Sequence, residues 1–181
     1  MRLLTHKLRS TEAAEIAEAA LVMPVVFIFL LGIIWFGRAF NIYSTITQAA
    51  QQGAIVAARP TCATCAPPSS PWTGTNFPGD TSVANAVISV LQASSLDPNQ
   101  IIASSALPQC TTSTYNIQIC RQVVLNSPAP GPLQVCNPPQ QFQVCGTIVS
   151  FQYPFQFYLP FTSLNLSRVV LSAQGQSRME N

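Results

Sequence analysis

The stretch AALVMPVVFIFLLGIIWFG, residues 19–37, decides how the rest of this chain is organised. It begins directly after Glu18, carries no charge, and lies in a chain whose charged residues are only 8% of the total. At a rise of about 1.5 Å per residue a helix of this length reaches about 28 Å, close to the hydrocarbon thickness of a bilayer. A cleavable secretory signal has a shorter apolar core and a small-residue exit site. Here the apolar run leads instead into Arg38, Ala39, Phe40 and Asn41. The stretch reads as a retained membrane anchor.

Charge and cysteine placement give the orientation. Arg2, Lys7 and Arg9 precede the span, and Arg38 and Arg59 are the only basic residues in the twenty or so that follow. The positive-inside bias therefore puts the N-terminus in the cytoplasm. All six cysteines, Cys62, Cys65, Cys110, Cys120, Cys136 and Cys145, come after the span. That distribution fits an oxidising compartment on the far side of the membrane. Residues 39–181 are accordingly expected outside the cytoplasm.

The segment beyond Arg38 contains no proline before Pro60 and keeps helical spacing, so one helix is expected over residues 11–58. Ser10 or Thr11 is its expected cap, with Glu12 and Glu15 near the positive end of the helix dipole. Arg59 and Pro60 close it. Pro24 removes one backbone hydrogen bond within the span, which a membrane helix accommodates as a bend or local melting. Farther along, Ala49, Gly53 and Ala57 recur every four residues, a small-residue stripe that lets another backbone approach closely. That backbone belongs either to the protein's own head or to another subunit.

About 120 residues follow this helix, enough for one small domain whose thin core gains from cross-links. From Ala39 onward the only charges are Arg59, Asp80, Asp97, Arg121, Arg168, Arg178 and Glu180. Such a surface carries no basic footprint for nucleic acid, and its near-neutral balance favours association. Residues 60–80 are rich in proline, cysteine, glycine and serine and read as a loop. A second, short helix is expected over residues 81–96, with Asp80 or Ser82 as cap and Asp97-Pro98 as stop. Alternation then marks strands: Tyr115, Ile117, Ile119, Val123 and Leu125; Phe142, Val144, Thr147, Val149, Phe151 and Tyr153; and Leu164, Leu166, Val169 and Leu171. YPFQFYLPF, residues 153–161, is expected to interrupt the second and third runs with its two prolines. The fold class that results is α+β, a short helix packed on three or four antiparallel strands behind the long helix. The division is a cytoplasmic leader (1–10), a transmembrane and extended helix (11–58) and an exported head (59–181).

Catalytic constellations are hard to assemble from these residues. His6 is the one histidine and lies on the cytoplasmic side, so the exported part has no Ser-His-Asp or Cys-His arrangement. Asp80, Asp97 and Glu180 are too scattered for an acid/base pair or a calcium cage. The rival signal is Cys62-Ala-Thr-Cys65, since Cys-x-x-Cys serves redox enzymes. Its usual context is a helix N-terminus in a βαβ unit, whereas this pair sits in a proline-rich loop. An all-cysteine metal site would have to survive in a compartment that oxidises thiols. Structural disulfides are the expectation, with Cys62 joined to Cys65 and Cys110, Cys120, Cys136 and Cys145 stapling the sheet and its long loop. The aromatics Phe151, Tyr153, Phe155, Phe157, Tyr158 and Phe161 are expected in the core, the other reading being a partner-binding patch.

The two ends of the chain resemble a known family. EAALVMPVVFIFLLGIIWFGR (18–38), followed by ITQAAQQGAIVAAR (46–59), is similar to the N-terminal helix of TadE-like proteins, the pseudopilins or minor pilins of tight-adherence pilus systems. The strand, Tyr-Pro turn and Arg-Met-Glu ending of TIVSFQYPFQFYLPF and LNLSRVVLSAQGQSRME resemble the tail of the family. The resemblance covers about half of the chain and implies a bacterial inner-membrane protein with a single pass. It implies, too, processing at the cytoplasmic face by a prepilin peptidase. Carried onto this sequence, Glu18 is the glutamate near the new N-terminus and the cut falls between Ala13 and Ala14. Ala13 stands where the family usually has glycine, which keeps an unprocessed anchor as the alternative.

The resulting expectation is a non-enzymatic, membrane-anchored minor pilin or pseudopilin without cofactor or metal. Its partners would be the membrane, other pilin-like subunits, the assembly machinery and the peptidase. The alternative from another class is a membrane-tethered thiol-disulfide oxidoreductase using Cys62 and Cys65.

Overall fold

The computed structural model of the protein describes residues 2–59, 77–104, 110–126, 133–134, 136, 144–156 and 169–178, with the backbone alone for 2–14. The chain divides into two compact units, Met1–Asn41 and Ile42–Asn181. Helix α1, Arg2–Ala58, contributes to both. It starts nine residues before the expected Thr11. Leu3, Leu4, Lys7, Leu8 and Arg9 are strong helix formers, and no glycine or proline precedes Pro24, so nothing in the sequence compels a start at Ser10 or Thr11. The helix also continues through Pro24, whose ring removes only the one bond to Ala20.

The second unit begins at Ile42, within the helix. Its α1 segment buries Thr45, Ile46, Ala49, Ala50, Gly53, Ala54, Ala57 and Ala58. That is one face at spacings of three and four. Helix α2, Asp80–Ala93, buries Val83, Ala84, Val87, Ile88 and Leu91 by the same rule. Both helices share a core with Ile117, Ile119, Val149, Phe151, Tyr153 and Ala173 of the sheet.

Helix α2 is shorter than its expected span because it ends in a Schellman motif. Ser95 adopts φ 58°, its amide donates to the Gln92 carbonyl, and the Leu96 amide donates to Leu91. Leu96 folds back onto the core. The cap at the other end is Gly79, with no side-chain hydrogen bond, and Asp80 is the first helical residue. The carboxylate of Asp80 turns instead to the Arg121 guanidinium. Asp97 caps the following 3-10 turn, Pro98–Gln100, by accepting from the Asn99 amide at 3.0 Å.

The sheet is an antiparallel meander of four strands in the order β1 (Cys110–Thr112), β2 (Gln118–Val124), β3 (Cys145–Phe155) and β4 (Val169–Arg178). Three features depart from simple alternation. First, Cys120 pairs with Ile148 but Val123 pairs with Gly146, so β2 carries one extra residue at a bulge where Gln122 has φ 59°. The bulge reverses which face odd-numbered residues occupy: Ile119 joins the helix-facing core, and Val123 joins a smaller cluster with Cys120 and Ile148. Second, β3 passes through Pro154, which pairs with Val170. Backbone amides two residues apart point the same way, and that of Gln152 points to the lone bridge with Ile102. The missing amide of Pro154 thus faces away from β4, where no ladder bond is lost. Third, the last strand extends to Arg178, farther toward the C-terminus than the expected alternation of Leu164, Leu166, Val169 and Leu171. Leu164 and Leu166 lie outside the described residues. Beyond Leu171 the core-facing side of β4 consists of Ala173, Gly175 and Ser177, small side chains that a search for branched residues passes over.

Phe151, Tyr153 and Phe155 are buried; Phe157, Tyr158 and Phe161 lie outside the described residues. Burial pushes the Tyr153 phenol above its ordinary pKa, opposed by a hydrogen bond from the Asp97 backbone, and the Asp97 carboxylate adds to the rise.

Candidate functional site

In the first unit α1 has no interior to face. Ile16, Leu21, Phe27, Phe29, Phe36 and Phe40 are all exposed, and the most apolar window of the helix has none of its residues buried. Mean hydropathy there is 2.7, and the helix is long and apolar enough to cross a membrane. In water such a surface would be strongly unfavourable at about 25 cal/mol per Å2 of apolar area. A membrane anchor is the role that suits it. Glu15 and Glu18 are exposed at the start of the apolar run, and the backbone is helical across Ala13 and Ala14.

The small-residue stripe has a different setting. Ala49 and Ala57 are fully buried, and a methyl group built on Gly53 would stand 2.6 Å from Val87 Cγ2 of α2 and 3.3 Å from Val149 Cγ1 of β3. Within the second unit the stripe therefore packs against the head's own helix and sheet. A parallel contact lies on the flank next to it. There Gly175 of β4 meets the backbone of Ala50 and Gln51, so closely that no Cβ fits. Gly175 was not singled out from the sequence, yet Ala173, Gly175 and Ser177 at a period of two match the small face of α1 and are the signal that marks it.

Among the described residues two disulfides are in place. Cys110 is the direct cross-strand partner of Cys120 and is bonded to it, joining β1 to β2. Cys136 is bonded to Cys145 and ties the loop after β2 to the first residue of β3, with the Cys136 amide donating to the Gln122 carbonyl at the bulge. Cys62 and Cys65, and with them the expected pairing and the redox alternative, lie outside the described residues. No described cysteine is free. Among the described residues no cluster of His, Cys, Asp or Glu is placed to hold a metal.

Two polar contacts among the described residues of the head tie its elements together. Arg121 on β2 pairs with Asp80 and donates to the Pro78 carbonyl at 2.8 Å, fastening the start of α2 to the sheet. Asn116, at φ 60° in the turn between β1 and β2, reaches the Ile101 carbonyl at 3.2 Å. Neither contact brings a nucleophile to a base. On the first unit the sequence reading also passed over the pairing of Arg38 with Trp35, three residues apart on one helix face, the guanidinium lying 5.8 Å from the ring centroid.

No curated protein and no solved structure matches the chain. Residues 13–54, which hold Glu18, the whole exposed apolar run and the first two members of the small-residue stripe, match the family model described as TadE-like protein.

Proposed function

We propose that this protein is a non-enzymatic minor pilin or pseudopilin that takes part in assembling a tight-adherence pilus from the inner membrane of a bacterium. The match of residues 13–54 supports a pilus-associated role, and it falls on the one exposed apolar helix surface of the described chain. That coincidence carries the reading. The N-terminus lies in the cytoplasm, the head is exported, and the partners are other pilin-like subunits and the assembly machinery. The buried stripe leaves Ala49, Gly53 and Ala57 to hold the head on its own helix. Contact with other subunits then falls to the apolar surface before residue 42.

Glu18 has a specific part in this proposal. A carboxylate at the edge of an apolar helix is costly unless it stays at the interface or meets a cation. Cleavage between Ala13 and Ala14 by a prepilin peptidase would supply that cation as a new N-terminal ammonium. The experiment is to recover the protein from membranes and from sheared surface fibres and to determine its mass and N-terminal sequence. A terminus at Ala14 supports processing, and presence in the fibres identifies a filament subunit. Normal piliation after deletion of the gene would overturn the pilus role. Glu18→Ala is expected to abolish or strongly reduce piliation while the protein stays in the membrane fraction, because the span only becomes more apolar. Full piliation in that variant would reduce Glu18 to a helix-end carboxylate.

A further inference from the structure

We propose that Arg38, held by Trp35, is a docking point for the phosphate of a membrane phospholipid on the exported side of the bilayer; this rests on the reading of α1 as a membrane anchor. Position is the first ground. Glu18 and Arg38 are twenty residues apart on one helix, about 30 Å along its axis, which is the thickness of the hydrocarbon core. With Glu18 at one headgroup layer, Arg38 stands at the other. Trp35 lies three residues before it and Tyr43 five residues after it, the residue types that settle at a membrane-water boundary.

Chemistry is the second ground. Arg38 is exposed, and among the described residues the one ion pair is Asp80 with Arg121, so no described carboxylate neutralises it. The guanidinium lies over the Trp35 ring at 5.8 Å from the centroid. A guanidinium carries five N–H donors, more than one ring contact engages, so an N–H edge stays available. That edge presents a planar fork of donors that matches two oxygens of a phosphate, and lysine has no such fork. Anionic phosphodiesters are the complementary groups present at this depth. A cation on the exported side also runs against the positive-inside bias, and the phosphate contact offsets that cost.

The test uses full-length protein carrying isotopically labelled arginine in bilayers of phosphatidylcholine, with solid-state NMR measuring dephasing of guanidinium carbons by lipid phosphorus. The Arg38 signal is the one missing from an Arg38→Lys sample. Strong dephasing of that signal is expected, reduced several-fold in Trp35→Leu. Carbonate-resistant insertion with no dephasing at Arg38 overturns the proposal while leaving the anchor intact; failure of insertion removes the anchor reading itself. Equal dephasing in Trp35→Leu overturns the part assigned to Trp35. In bilayers of digalactosyl diacylglycerol, which has no phosphate, added inorganic phosphate is expected to produce no contact. Dephasing there would show a general anion site and overturn docking to lipid.

Discussion

Ser95 holds a left-handed backbone conformation at the end of α2, where a residue with a Cβ is strained and glycine is not. Ser95→Gly keeps both hydrogen bonds of the Schellman motif and relieves that strain. A gain of about 0.5–1 kcal/mol is expected in denaturant unfolding of the protein, after the entropy that glycine adds to the unfolded chain. Tyr153 makes a prediction in pH. Its folded pKa lies above the ordinary phenol value of 10.0, so the folded state favours the neutral phenol. The stabilisation is complete below pH 10 and is lost as the pH rises from there through the folded pKa. Tyr153→Phe should flatten the fall in melting temperature measured at alkaline pH.

At the scale of elements, the contacts of α1 with the rest of the head depend on absent side chains. Gly53→Leu drives a branched side chain into Val87 and Val149. Overpacked cores lose about 1–3 kcal/mol, and more where rigid atoms cannot move. The expected result is misfolded or degraded head, read by limited proteolysis, and not a folded protein that merely fails to assemble. Gly175→Ala is the finer probe, because the obstacle there is the helix backbone at Ala50 and Gln51. A single methyl should cost at least about 1–3 kcal/mol in unfolding experiments. Gly175→Ala stability equal to that of the unmodified protein would mean that α1 and β4 do not approach so closely.

At the scale of the whole molecule, the two cross-links among the described residues compensate for a thin core. Cys110–Cys120 and Cys136–Cys145 close loops with sequence separations of 10 and 9. Loop-closure entropy assigns each about 2.5 kcal/mol. Together that is a large share of the 5–15 kcal/mol typical of a domain. Reduction of the protein is expected to lower its unfolding free energy by about 5 kcal/mol, checked by denaturant titration with and without reductant. The double variant Cys62→Ser, Cys65→Ser should lose little stability, since so short a loop constrains the unfolded chain weakly, and piliation should persist. Mixed disulfides with other exported proteins that vanish in that variant would instead support redox chemistry at Cys62 and Cys65.

The sequence by itself determined the features that depend on neighbours along the chain. The uncharged run of residues 19–37, the helix continuing to Ala58, the second helix and the existence of several strands follow from spacing that each segment carries alone. The small face at Ala49, Gly53 and Ala57 was equally plain, but its partner was not. Small residues permit close approach without naming what approaches, and only the tertiary structure put Val87 and Val149 there. The same holds for Cys110 and Cys120, whose pairing depends on strand register, and for Val123, whose face depends on the bulge at Gln122. Pro154 sits within a strand because the open side of β3 happens to receive its missing amide. In each case the deciding contact joins residues far apart in sequence, and local periodicity contains no record of it.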